Sequence, residues 1–174
     1  MRTLRYLAFA SLLLIAARIA KAKTAADAYR DIAKAKFFSR GDNSGTHKKE
    51  LGIWKDAGIE PAGDWYIVTK DFMTATLKRA NDEGGYFMTD SSTWVAEQKN
   101  MPKLKVLFSG DQKLVNTYHA LCGPKDGKPT SDLAAGFIAF VASPEGQHII
   151  GNYGKKQYGA GLYNDAAYAK KYVD

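Results

Sequence analysis

The chain is poor in the residues that most often carry covalent or metal chemistry. It has one cysteine, Cys122, in 174 residues, so neither an internal disulfide nor a thiolate pair for a metal can form. Cys122 ends the apolar run Tyr118-His119-Ala120-Leu121-Cys122, and that setting predicts a buried, inert thiol. On a strand His119 would point to the opposite face, leaving the thiol without a base. The three histidines, His47, His119 and His148, lack metal-ligand spacing. There is no G-x-S-x-G, no P-loop and no Rossmann glycine pattern. Asp90, Glu97 and Asp111 read as turn or surface carboxylates rather than an acid–base set. Nothing after residue 22 is apolar enough to span a bilayer, and neither an internal repeat nor a low-complexity tract is present. These absences predict no catalytic residues, no metal and no cofactor; a phosphate-ester hydrolase is the enzyme alternative.

What is present suits one domain with a real core, since 45% of residues are hydrophobic and 25% charged. The formal charge is +7, but four of the basic residues (Arg2, Arg5, Arg18 and Lys21) stand in the first 22 positions, where there is no acid. The rest is mildly basic, and no stretch interleaves Lys or Arg with aromatics on one face, so no nucleic-acid partner is expected. The same first 22 residues have a charged start, a twelve-residue apolar run and an Ala20-Lys21-Ala22 exit. That layout predicts a secretory signal, with the mature chain (23–174) periplasmic or secreted. An amphipathic helix packed on the core is the other reading of the segment.

Along the chain, Tyr29, Ile32 and Ala33 mark one face of a helix over 25–35, and residues 36–39 read as a short buried strand. A helix to about residue 57 should turn Leu51 and Trp54 inward. Residues 65–69, 86–89, 104–108 and 115–122 read as strands. Met73, Thr76, Leu77 and Ala80 have helical spacing, as do Leu133, Gly136, Phe137, Phe140 and Val141, and residues 94–98 read as a short helix. Ser143-Pro144-Glu145 supplies a cap, a proline at the first helical position and an acid in the first turn. Strands alternating with helices predict an α/β fold with a mostly parallel sheet flanked by helices.

In such sheets ligands sit where strands end and helices begin. Ser39-Arg40-Gly41-Asp42-Asn43-Ser44-Gly45-Thr46 should occupy that place. A helix start offers unpaired N–H groups and a partial positive charge. Ser39, Ser44 and Thr46 add hydroxyls, Gly41 and Gly45 allow close backbone approach, and Arg40 adds a forked cation. Together they are the parts of an anion site. Asp42 has three possible roles: capping the helix, pairing with Arg40, or accepting a proton from an anion such as hydrogen phosphate. A fully deprotonated anion such as tungstate, molybdate or sulfate needs donors only. The Arg40-Gly41-Asp42 adhesion tripeptide is better explained by its use at the helix start. A capped helix with no ligand is the plain alternative.

Residues 38–51 of this block, followed by Trp54-Lys55-Asp56-Ala57-Gly58-Ile59-Glu60-Pro61 and Gly63-Asp64-Trp65-Tyr66, resemble the tungstate-binding proteins of ABC transporters. Thr89-Asp90, Lys105-Val106-Leu107, Gly110-Asp111, Asn116-Thr117-Tyr118 and Ser143-Pro144-Glu145-Gly146-Gln147 are similar to that family in the same order. The resemblance spans about residues 23–163 and implies a periplasmic-binding-protein-like (type II) lobe. It further implies a solute-binding protein for tungstate, and sometimes molybdate, that serves a membrane permease and does no catalysis. Carried over, Ser39 and Arg40 would sit at the anion, with Ser44, Gly45 and Thr46 beneath it. Thr89, Asp90 and Thr93 would form a second loop. The family's Thr/Ser-rich first lobe has no counterpart here, so a second chain or a homodimer is the expected source of it. Two further departures are Ser91 and Ser92, where the family has an arginine and a glycine, and Lys70-Asp71-Phe72-Met73-Thr74, in place of a glycine-rich helix start. The alternative function is a truncated or divergent lobe with no ligand of its own, serving as a partner-binding or structural module.

Overall fold

A computed structural model describes residues 14–124 and 127–172. The chain divides into two compact units, Met1–Leu114 and Val115–Asp174. The charged start and much of the apolar run of the signal-like segment lie outside the described residues. Its remainder is helical over 14–19, and Ile15, Ile19 and Ala22 pack into the core of the first unit.

The first unit is an α/β sandwich. Helix α1 (Ala25–Ile32) starts at Thr24, whose Oγ1 accepts the Asp27 N–H at 3.1 Å, and it buries Ala25, Ala28, Tyr29 and Ile32 at helical spacing. Strand β1 (Phe37–Ser39) is buried throughout because it is the middle strand of three. After it come α2 (Gly45–Asp56), β2 (Tyr66–Val68), α3 (Met73–Glu83), β3 (Tyr86–Phe87) and α4 (Ser91–Glu97). The sheet order is β2-β1-β3, and both pairings are parallel. Phe37 lies opposite Tyr66 on one side and Tyr86 on the other.

The two-residue period of the strands sorts side chains to two faces. Phe37 turns toward α1 and α2, where its ring meets Tyr29 at 5.7 Å, Trp54 at 5.2 Å and Tyr66 at 6.0 Å between centroids. Trp54 is fully buried at the centre of this aromatic cluster. Phe38 turns to the opposite face, beneath Lys36 and Arg79 at 5.3 and 5.7 Å. Helix α3 packs against β1 and β3. Gly85 is required there, since a Cβ would stand 2.6 Å from the Phe38 ring. Arg30 ties α1 to the end of α2 by donating to the carbonyls of Ala57 and Asp56, both at 3.1 Å, where a cation suits the helix C-terminus.

Three expectations change here. Leu51 is 41% exposed, while Glu50, Ile53 and Trp54 are buried, so the inner stripe of α2 runs one residue earlier and includes a carboxylate. Residues 104–108 and 115–122 are not strands. Their apolar alternation has no ladder to join, because strand geometry persists only where backbone groups find partners. Cys122 is accordingly exposed rather than buried.

The second unit is helical: α5 (Pro129–Ala142), α6 (Pro144–Asn152), α7 (Lys155–Tyr158) and α8 (Ala166–Ala169). Ser143 ends α5 and caps α6, its Oγ accepting the Gly146 N–H at 3.2 Å. Gly146 is needed at this corner, since a Cβ would meet the Phe140 carbonyl at 2.2 Å. Gln147 donates to the Val141 carbonyl at 2.6 Å and accepts from the Ala166 N–H at 2.6 Å. Among the described residues, no helix is long and apolar enough to cross a membrane.

Candidate functional site

Because all three strands run the same way, the segments that follow β1, β2 and β3 leave the sheet at its carboxyl edge. The 40–46 loop follows the central strand and enters the twelve-residue helix α2. It turns sharply, with φ of +61° at Gly41 and at Asn43. A Cβ on Gly41 would lie 2.1 Å from Val68 Cγ1, so only glycine lets the loop pass over β2.

Ser44 caps α2 by accepting the His47 N–H at 3.3 Å. His47 Nδ1 accepts the Asn43 N–H at 3.0 Å, which fixes it as the acceptor nitrogen of the ring. While the helix cap falls to Ser44, Asp42 takes one of its expected roles, the pairing with Arg40. Its Oδ1 accepts the Ser44 N–H at 3.1 Å, and its Oδ2 pairs with the Arg40 guanidinium. Partial burial raises the Asp42 carboxyl, but the Ser44 groups and Arg40 outweigh that and hold it below the usual carboxylate range. Arg40 Nε donates to the Asp71 carbonyl at 3.4 Å, so the guanidinium is held at both ends and its side chain is 14% exposed. Among the described residues, the N–H groups of Gly45 and Thr46 have no acceptor. The loop thus offers two free backbone donors, the Thr46 hydroxyl and a positioned guanidinium at the positive end of a twelve-residue helix.

Ser39 is placed differently from its neighbours in the chain. By strand alternation it shares the face of Phe37 and Tyr66, and it is fully buried with its hydroxyl unpartnered. Its carbonyl accepts Thr69 N–H at 2.9 Å and Thr69 Oγ1 at 3.1 Å. Thr89, Asp90 and Thr93 stand at the same edge of the sheet, after β3. Asp90 caps α4, accepting Thr93 N–H at 2.6 Å, Ser92 Oγ at 2.6 Å and Thr93 Oγ1 at 3.1 Å. Thr89 Oγ1 donates to the Asp90 carbonyl at 3.4 Å. Among the described residues, no group of three His, Cys, Asp or Glu side chains is placed to hold a metal.

The sequence reading missed Glu50. It is 2% exposed and accepts Tyr66 Oη at 2.6 Å. Burial pushes its carboxyl up to about 7, against the pull of the Tyr66 hydroxyl and the nearby polar groups of Ser39 and Trp54. The four-residue steps Thr46, Glu50, Trp54 were the available signal, a carboxylate between a helix start and a core tryptophan.

A parallel α/β unit with a donor-rich, cationic loop at the carboxyl edge of its central strand has groups whose chemistry suits a small anion. A family model described as a PBP superfamily domain matches residues 7–145, and the chain belongs to that superfamily. It is 37% identical over 136 residues to the tungstate-binding protein TupA of Peptoclostridium acidaminophilum, covering 77% of this chain and 47% of the relative. It is 40% identical over 146 residues to a putative ABC transporter anion-binding protein of Haloferax volcanii, covering 79% and 42%. Among solved structures, the tungstate-binding protein TupA of Desulfovibrio alaskensis G20 has a TM-score of 0.63 at 38% identity, with 82% of this chain and 60% of that one covered. A tungstate ABC transporter structure from Geobacter sulfurreducens has a TM-score of 0.63, 38% identity and coverage of 79% and 60%. The chain spans less than half the length of the curated relatives it matches.

Proposed function

We propose that the chain is an extracytoplasmic solute-binding protein for a tetrahedral oxyanion, tungstate or molybdate, serving an ABC transporter permease. The observation that carries the reading is the 40–46 loop, with free N–H groups at Gly45 and Thr46 beside a held Arg40. Such donors suit a fully deprotonated oxyanion, which accepts on every face. Asp42 is already occupied by Arg40 and Ser44, and this favours tungstate or molybdate over hydrogen phosphate. Ser39 would support the anion from beneath, with Ser44 setting the helix start. Thr89 and Thr93 would face the ligand as a second loop, which Asp90 holds in place as the cap of α4. Binding and release, with no covalent step, is the whole of the activity.

The part of the relatives that this chain does not span would be supplied by a second chain or by a second copy. Each missing charge-assisted hydrogen bond weakens binding by about 1.5–3 kcal/mol. Export through the 1–22 segment would place the protein in the periplasm or outside the cell. The test is thermal denaturation of the full chain with tungstate, molybdate and phosphate. A rise in Tm with tungstate that disappears in Arg40→Ala is expected; a rise that survives Arg40→Ala places the anion elsewhere. A second reading, a ligand-free lobe that docks a partner, is favoured by the exposed apolar residues Leu133, Phe137 and Phe140 of α5. No Tm change with any of the three anions in a folded chain selects it.

A further inference from the structure

Beneath the loop lies a buried polar cluster that anion binding as described does not use. Glu50 stands on the inner face of α2, one turn below Thr46, or about 6 Å along the helix axis. Its carboxyl accepts Tyr66 Oη from β2 at 2.6 Å. Three more polar groups are buried with no hydrogen-bond partner: Ser39 Oγ from β1, Trp54 Nε1 from α2 and Tyr29 Oη from α1. Ser39 and Trp54 both act on the Glu50 carboxyl, and Tyr29 feels its charge. Tyr86 of β3 lies on the same sheet face, with its hydroxyl also buried and unpartnered. The groups facing Glu50 are therefore hydroxyls and an indole N–H, all able to donate, with Tyr29, Tyr66 and Tyr86 the titratable ones. Burial already sets this carboxyl at about 7, so near neutrality it stands between its two protonation states.

We propose that Glu50 takes up a proton when an oxyanion binds the 40–46 loop, so that it acts as a positioning residue coupling the site to pH. The coupling is electrostatic and rests on the anion reading given above. A bound dianion at the start of α2 adds negative charge one turn from a carboxylate in a poorly screened interior. A like charge disfavours the ionised form. Linkage then works in both directions: the anion draws a proton onto Glu50, and a proton on Glu50 tightens the anion. Ser39 joins the two levels, with its side chain beside Glu50 and its backbone leading directly into Arg40. Affinity should fall with rising pH above neutrality, by at most about tenfold per pH unit for one coupled proton.

The experiment is titration calorimetry of the full chain with tungstate at pH 7.5, in buffers of small and large ionisation enthalpy. A binding enthalpy that changes with the buffer, reporting uptake of a fraction of one proton, is expected. Glu50→Gln keeps an acceptor for Tyr66 and should abolish the buffer dependence. Tyr66→Phe keeps the ring, removes a hydrogen bond that lowers the Glu50 carboxyl, and should move the pH of greatest uptake upward. Tungstate binding with buffer-independent enthalpy overturns the proposal and leaves the anion site standing. Buffer dependence that persists unchanged in folded Glu50→Gln also overturns it. The absence of tungstate binding in folded wild-type chain overturns the anion reading itself, and the coupling with it.

Discussion

The two units of this chain handle apolar surface in opposite ways. The first buries Tyr29, Phe37, Ile53, Trp54 and Leu77 around a parallel sheet. In the second, Gly146 is the sole buried residue among those described, while Leu133, Phe137 and Phe140 of α5 stand 76%, 64% and 44% exposed. Both have well-formed helices with caps, so local signals alone do not account for the difference. The first unit has three strands and two helix layers to cover its apolar faces. Among the described residues, the helix pair of the second has no such cover. The buried core lies in the first unit, and so does the 40–46 loop.

Substitutions in the two units should differ in their cost accordingly. The largest effect should come from Trp54→Ala, which removes the centre of the aromatic cluster. A loss of about 3–5 kcal/mol is expected, read as a fall in the urea midpoint. Next is the pH dependence of the first unit. Glu50 has a folded pKa of about 7 against an ordinary 4.5. A raised carboxyl binds its proton more tightly in the folded state, so the associated stability is complete below pH 4.5. It is then lost as pH rises to about 7, by about 3 kcal/mol in all. Glu50→Gln should flatten that slope in denaturation curves taken from pH 4.5 to 8. Ser44→Ala should cost about 1 kcal/mol, the value of a helix cap, and a change of less than a few tenths would mean that the loop holds α2 without it. The smallest effect should be Phe137→Ala in the second unit, within about 0.5 kcal/mol. A larger loss would show that this helix face is covered in solution.

Much of the first unit was legible from periodicity and caps. The spacing of Tyr29 and Ile32, the run Phe37-Phe38-Ser39, and the caps Ser44 and Asp90 all mark real element boundaries. Residues 104–108 and 115–122 misled because alternation records which side chains would share a face, not whether a neighbouring strand exists. Within the candidate site, Arg40, Asp42 and Ser44 are in contact as their chemistry suggests, and the Asp42 pairing was among the legible options. Two features were not legible. Ser39 reads as a loop hydroxyl, yet strand alternation turns it toward Glu50. Glu50 itself reads as a surface charge, because an acid on a helix is ordinarily solvated. Its burial follows from the exact phase of α2, which is fixed by Trp54 and cannot be set by composition.

Calorimetric titration of the full chain with tungstate, with molybdate and phosphate as competitors, shows whether the 40–46 loop binds a tetrahedral oxyanion. Saturable tungstate binding, displaced by molybdate more readily than by phosphate and lost in Arg40→Ala, is the predicted result. A folded chain that gives no binding heat with any of the three anions would contradict it.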